Sequence, residues 1–276
     1  MSRIKNSKIK KLMKLVMQEV FTYAIPVKNV KPTEIYGKDW QTVVRKLALT
    51  IPVEKAHIHV SYGNDKIGPI MNFNLPALVT CPECAHHTCG KDGCYAKKEE
   101  RYLGVVVARW ENLGLVLRDL PKVKRELILK IAYEVFLNRH RRVPVRLVMR
   151  PHESGDFLVK GKEREYLEMW LDICEMFPMV SFYGYSKCYD LIREYAPRIL
   201  KLRNFNILLS AWKGLRVPQD LIDMGFPVAY VDDGTPETQN MIPAGCFHCP
   251  ATASNEFTCH QCGACERGVN VVFKKH

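Results

Sequence analysis

The sequence predicts an α/β protein built on a mainly parallel sheet, with a helical extension before it and a cysteine-rich metal-binding module after it. Three observations lead there. Short apolar runs of strand length alternate with longer amphipathic stretches from about residue 69 to residue 231. Nine of the eleven cysteines fall in two clusters, one at 81–94 and one at 246–265. Each strand-like run ends in polar or reactive residues, where parallel α/β proteins build their sites.

The first elements precede the sheet. Residues 5–21 place Ile9, Leu12, Met13, Val16, Met17, Val20 and Phe21 at helical spacing with lysines opposite, which predicts an amphipathic helix packed on the core. Pro26 and Pro32 mark a linker, Trp40–Leu49 a second short helix, and His57–Ser61 a strand. The alternation then becomes regular. A strand over 69–76 runs into the first cysteine cluster, and helices over 97–118 and 122–140 flank Pro121. Next come a strand at 143–149, a helix at 162–177 with Tyr166, Leu167, Trp170, Ile173 and Cys174 on one face, and a strand at 179–185. A helix at 188–201, a strand at 205–210, a short helix at 217–223 and a strand at 227–231 complete the series. Residues 235–267 lose apolar periodicity and are closed by the strand-like Val269–Phe273. The boundaries that follow are 1–62 for the helical extension, 63–235 for the α/β body and 236–276 for the cysteine-rich module.

Composition bounds the function classes. Hydrophobic content of 47% and charged content of 25% are those of an ordinary globular protein. No apolar run approaches the ~18–20 residues of a membrane span. Lys10, Lys11 and Lys14 interrupt the N-terminal apolar residues and no small-residue cleavage site follows, so a cytoplasmic protein with no membrane partner is expected. In a reducing compartment clustered cysteines are metal ligands or catalytic thiols rather than disulfides. The two isolated ones, Cys174 and Cys188, read as small buried hydrophobes. The net charge of +12 admits nucleic acid as a partner, but it is dispersed and lacks interleaved aromatics, so it reads first as solvated surface. No strand turn carries G-x-G-x-x-G or a phosphate-loop G-K-[ST].

The first cluster, TCPECAHHTCGKDGCYA over 80–96, follows the first strand of the body. Its spacing is not the paired C-x2-C of structural zinc sites. If Cys84 is incidental, Cys81, Cys89 and Cys94 hold a 4Fe–4S cube by three corners and leave one iron open. The alternative is zinc on all four cysteines, or zinc with His86 or His87. The second cluster reads Cys246-x2-Cys249-Pro-x8-Cys259-x2-Cys262-x2-Cys265. A fully ligated 4Fe–4S cluster on Cys249, Cys259, Cys262 and Cys265 fits it, as does a zinc knuckle on Cys246, Cys249, Cys259 and Cys262.

Several motifs in fixed order carry a resemblance. The runs Asn74–Cys81, Cys94–Ala96, Arg150-x-His-Glu-Ser-Gly-Asp-Phe157 and Phe182–Lys187, with the cysteine-rich tail and the ending Val272–His276, are similar to the phage "gene product 88" family over about 65–276. The three-cysteine loop after the first strand is in turn similar in kind to that of radical S-adenosylmethionine (SAM) enzymes, although its spacing here is C-x7-C-x4-C rather than C-x3-C-x2-C. That likeness implies a partial (βα)6 barrel of radical SAM type, two 4Fe–4S clusters and SAM as cofactors. By position it implies that Tyr95 flanks the adenine and that Glu153, Ser154, Gly155 and Asp156 meet the SAM amino group. Tyr185, Lys187, Ser210 and Asp232 would line the substrate side, the tail cluster would relay electrons or anchor substrate, and an electron donor such as flavodoxin or ferredoxin would be a partner. Two other classes stay open: a zinc-stabilised basic nucleic-acid-binding protein, and a two-cluster electron-transfer protein without SAM.

Overall fold

The computed structural model describes Lys11, Ile25 and residues 27–91, 93–253 and 257–275. The amphipathic helix expected over 5–21 lies outside these. The chain forms two compact units, one of residues 1–59 with 99–147 and one of residues 60–98 with 148–276. This division cuts across the boundaries expected at 62 and 235, because the helices of 103–139 belong with the N-terminal part and the last strand adds to the main sheet.

The helical unit contains α1 (Pro32–Tyr36) and α2 (Trp40–Thr50). Further along the chain it adds α5 (Leu103–Arg118) and α6 (Leu120–Arg139). Val44 and Ala48 of α2 pack on Leu103, Val106 and Val107 of α5, burying the apolar stripe that makes both segments helical. Pro121 sits in the first turn of α6, where its missing N–H costs nothing, and the Asp119 carboxylate accepts from Lys122 N at 2.9 Å to cap that helix. The expected strand at 57–61 is reduced to β1 (Val60–Ser61). Side chains replace its ladder further back. Glu126 accepts from Ile58 N at 2.9 Å, and the Asn112 amide accepts from His59 N at 2.8 Å and donates to His59 O at 3.0 Å.

The second unit is a sheet of eight strands in the order β1-β2-β3-β4-β5-β6-β8-β7. Its members are β2 (Met71–Phe73), β3 (Val148–Pro151), β4 (Ser181–Ser186), β5 (Phe205–Ala211), β6 (Val228–Asp232), β7 (Phe247–His248) and β8 (Val271–Lys274). Among the described residues only β1–β2 is antiparallel; every other neighbouring pair is parallel. A mixed α/β fold with a mostly parallel sheet is therefore established. Neighbours follow chain order from β1 to β6 with no switch point, so crossovers of one hand place their helices on one face. Those helices are α7 (Glu163–Met176), α8 (Tyr189–Ile199) and α9 (Gln219–Asp223). The Trp170 ring of α7 meets Phe73 edge-on at 5.8 Å and Tyr166 at 6.5 Å. Both faces of the sheet are buried, as parallel strands require. Val148, Tyr183, Tyr185, Leu208 and Val271 occupy the face away from Phe73, and the chain carrying Cys259, Cys262 and Cys265 packs on them.

Two strands are shorter than expected. The run over 69–76 pairs only at Met71–Phe73, because the next residues turn into the cysteine loop and Leu78 adopts a left-handed φ of 66°. The run over 143–149 starts pairing at Val148. Pro144 has no N–H, and the Asn138 amide takes both Val145 N and Val145 O at 2.8 Å. Among the described residues no helix is long and apolar enough to cross a membrane.

Candidate metal centres

The first cysteine loop is stitched to the loop after β3. Leu75 N donates to Ser154 O at 3.0 Å, and Ser154 Oγ returns a bond to Leu75 O at 2.9 Å. Asn74 Oδ1 accepts from Glu153 N and Ser154 N at 2.8 and 3.2 Å, and Thr80 Oγ1 accepts from Asp156 N at 3.2 Å. Gly155 makes this approach possible. It has a φ of +91°, and a Cβ there would lie 2.6 Å from Thr80 Oγ1 and 2.9 Å from Leu75 Cβ. Tyr95 opens the short helix α4 (Tyr95–Glu99), which follows α3 (Glu83–His87). Its ring is exposed, and its hydroxyl donates to Glu153 O at 2.6 Å.

Asp156 is the electrostatic centre of this loop pair. Buried, it accepts from Phe157 N and Ser186 Oγ at 2.8 and 2.7 Å on one oxygen and from Lys187 N at 2.8 Å on the other. Burial raises its pKa and these donors oppose the rise. The Cys81 thiol is pushed up to about 12 by burial and then by the Asp156 carboxylate, with Lys187 acting the other way. Burial also raises Cys84, on which Lys187, Asp156 and Cys89 act. Lys187 is raised; desolvation works against its charge, and Cys89, Asp156, Cys81 and Tyr95 outweigh it. Cys81, Cys84 and Cys89 thus share one Lys–Asp neighbourhood, while Cys94 stands at the far end of the loop before α4. A metal arriving here must displace thiol protons, and the Lys187 ammonium favours that exchange.

His152 neighbours this site. It holds a left-handed φ of 65°, and its Nε2 lies 2.7 Å from the Tyr166 hydroxyl. Burial, then the Arg150 charge, lowers its pKa to about 3, so it is a neutral pin between loop and helix α7. Ser210, expected on the substrate side, is buried in β5, and its carbonyl accepts from the Tyr189 hydroxyl at 2.5 Å. Asp232 ends β6, where its carboxylate accepts from Gly234 N at 2.9 Å and so closes a turn.

The second group is brought together more tightly. Cys249, Cys259, Cys262 and Cys265 all line one cavity of about 370 Å³, part of it open to solvent; Cys246 does not. Helix α10 (Pro236–Met241) precedes Cys246, and helix α11 (Pro250–Ala253) begins directly after Cys249, whose N–H bonds Val272 O of β8 at 2.9 Å. Helix α12 (Cys259–Cys262) has a Thr258–Gln261 capping box at its start and Gly263 in the left-handed conformation at its end. Cys259 N and His260 N donate to Lys66 O and Ile67 O at 3.2 and 3.0 Å, fixing α12 beside β2. Asn206 Nδ2 donates to Glu266 O at 2.6 Å. Tyr185, expected on the substrate side, donates to Cys265 Sγ at 2.9 Å. Burial pushes the Cys265 thiol up to about 12 and the Tyr185 bond opposes it.

Among the described residues no group of three or more His, Cys, Asp or Glu side chains is arranged to hold a metal ion. The fit to a metal group is therefore one of donor chemistry and a common cavity. Four soft thiol donors facing one space suit zinc or an iron–sulfur centre by that test.

Comparison with known proteins adds the family. The model of the family described as Gene product 88 matches residues 45–268. The chain belongs to the Gene product 88 family. The match takes in both cysteine groups and begins inside α2, some way before the motifs read from the sequence; it stops ahead of β8. No curated protein matches the chain. No solved structure matches it either. None of these comparisons extends its membership to radical SAM enzymes.

Sequence reasoning missed Arg150, His152, Asn74, Thr80 and Tyr189. Arg150 interrupts the apolar run Val145–Pro151 together with Arg146, so the run itself does not single it out.

Proposed function

We propose that this chain is an iron–sulfur enzyme of radical SAM type, acting at the C-terminal ends of its parallel strands on a substrate of unknown class. The observation that carries the reading is the seating of the first cysteine loop. It leaves β2 at its C-terminal end and is bonded to the loop after β3, beside Asp156 and Lys187 at the end of β4. Parallel α/β proteins place their chemistry at such strand ends. The chain-order sheet agrees with a partial (βα)6 barrel, whose six parallel members would be β2 to β6 and β8.

In this reading Cys81, Cys89 and Cys94 would hold a three-thiolate 4Fe–4S cluster, which, reduced by an external electron donor, would supply the electron for reductive cleavage of SAM. Tyr95 would flank the adenine, and Glu153 and Asp156 would be acceptors for the SAM amino group, on a loop that Gly155 keeps tight against Thr80. Lys187 favours the thiolate at Cys81. Cys249, Cys259, Cys262 and Cys265 hold the second, fully ligated cluster in their shared cavity. The test is SAM cleavage by anaerobically purified protein on reduction with dithionite, and its loss in Cys89→Ala.

A second reading has its own observation. Cys84 shares Lys187, Asp156 and Cys89 with Cys81, so a fourth thiolate is at hand to close the first site. A closed site makes the chain a two-cluster electron-transfer protein without SAM. Retained iron and saturable reduction without SAM binding, with the open iron restored by Cys84→Ala, mark that outcome.

A further inference from the structure

Arg150 is 9% exposed, and its Nε is buried without a hydrogen-bond partner. Among the described residues no carboxylate makes an ion pair with it, and Glu153 is the last and smallest of the groups acting on it. Its guanidinium lies over the Tyr183 and Tyr185 rings, 5.7 and 4.9 Å from their centroids. A guanidinium stays charged at every pH a folded protein meets, and cation–π contacts replace only part of its lost hydration. Leaving a buried charge uncompensated is strongly destabilising, so Arg150 calls for an anionic neighbour.

The four-cysteine cavity supplies it. Tyr183 lines that cavity and lies under Arg150, and Tyr185 touches both Arg150 and Cys265. A metal group held by four thiolates carries net negative charge, and an iron–sulfur cluster gains one more unit on reduction.

We infer that Arg150 is the counter-charge of the four-cysteine centre, securing the anionic metal–thiolate group in its cavity and, together with the Tyr185 hydroxyl, easing its one-electron reduction. The counter-charge rests on the proposed function only in that a metal group occupies this cavity; the eased reduction rests on that group being an iron–sulfur cluster. Neither depends on SAM or on the first centre.

The test compares the full chain, purified without oxygen, with Arg150→Met and Arg150→Lys. Removing the charge should move one of two midpoint potentials down by at least ~59 mV, a tenfold change in the reduced-to-oxidised ratio of a one-electron couple. The other midpoint serves as internal reference, and Arg150→Lys should restore most of the shift. Metal-stripped Arg150→Met should be at least as stable as metal-stripped wild type, since it no longer buries a lone charge. A purely structural arginine gives the opposite: stability falls on stripping and both potentials stay put, which overturns the inference. Should the wild type hold zinc alone, the iron–sulfur reading fails while this inference is read by chelator competition. Arg150→Met must then lose its zinc at roughly tenfold less chelator and Arg150→Lys must not; equal retention overturns it. If neither variant folds, Arg150 is a packing residue and the inference falls.

Discussion

The Tyr185 hydroxyl donates to Cys265 Sγ at 2.9 Å, joining the middle strand of the parallel sheet to the C-terminal cysteine group. Tyr185 stands on the face opposite the helices, so this bond locates that group on the sheet itself rather than in an appended module. The Tyr185→Phe variant should keep its metal and lose about 0.5–1.5 kcal/mol of stability, the usual net worth of such a bond. Urea unfolding with metal analysis checks both, and loss of metal would show that the hydroxyl does more than orient one sulfur.

Gly155 makes a sharper prediction because its constraints are two. Gly155→Ala meets Thr80 Oγ1 and Leu75 as well as a positive φ, and should cost roughly 2–5 kcal/mol. Gly161→Ala has a φ of +77° and open space around it, and should cost about 1–2 kcal/mol. Equal losses in the two variants would mean that the two loops do not approach as described.

How far the sequence foretold all this can be judged from these two loops. The alternation of apolar strands and amphipathic helices over 163–232 is legible because each periodicity follows directly from which face is buried. Strand ends are less legible. Leu75 looks like strand but spends its N–H on Ser154 O, a partner 79 residues away that no local pattern announces. Spacing left two four-thiol sets open for the second cluster, and one of them, Cys249, Cys259, Cys262 and Cys265, lines a single cavity. At the first cluster Cys84 shares the Lys–Asp neighbourhood of Cys81, a relation that spacing does not carry because it says nothing of how a glycine-bearing loop folds back. Arg150 was invisible as a functional residue because its meaning depends on which groups are absent around it.

Acid should loosen the sheet through His152. Its folded pKa of about 3 lies below its ordinary value of 6.5, so below 6.5 the unfolded chain binds the extra proton. Stability from this group is complete above pH 6.5 and is lost as pH falls toward 3, by about 2–3 kcal/mol at pH 4. The raised Asp156 works in the opposite sense, since its folded form holds a proton to higher pH than the unfolded one. His152→Asn, which tolerates the left-handed φ, should flatten the slope between pH 6.5 and 4 in denaturation measured at a series of pH values. An unchanged slope would mean that His152 is charged in the folded protein.

Serine replacements sort the ligands. Cys249→Ser, Cys259→Ser and Cys265→Ser should each lose about half of the bound iron, whereas Cys246→Ser, outside the cavity, should lose none. In the first centre Cys89→Ser should abolish SAM binding and Cys84→Ser should leave it. Iron determination and isothermal titration with SAM read the series, and a Cys84→Ser variant that loses its metal would transfer the first centre to the closed, electron-transfer form.

The most direct measurement is metal and sulfide analysis, with a visible spectrum, of the full chain purified without oxygen. Two thiolate-held clusters predict a brown protein with about eight irons, broad absorption near about 400 nm, and SAM cleavage once dithionite is added. A colourless chain holding only zinc would contradict it.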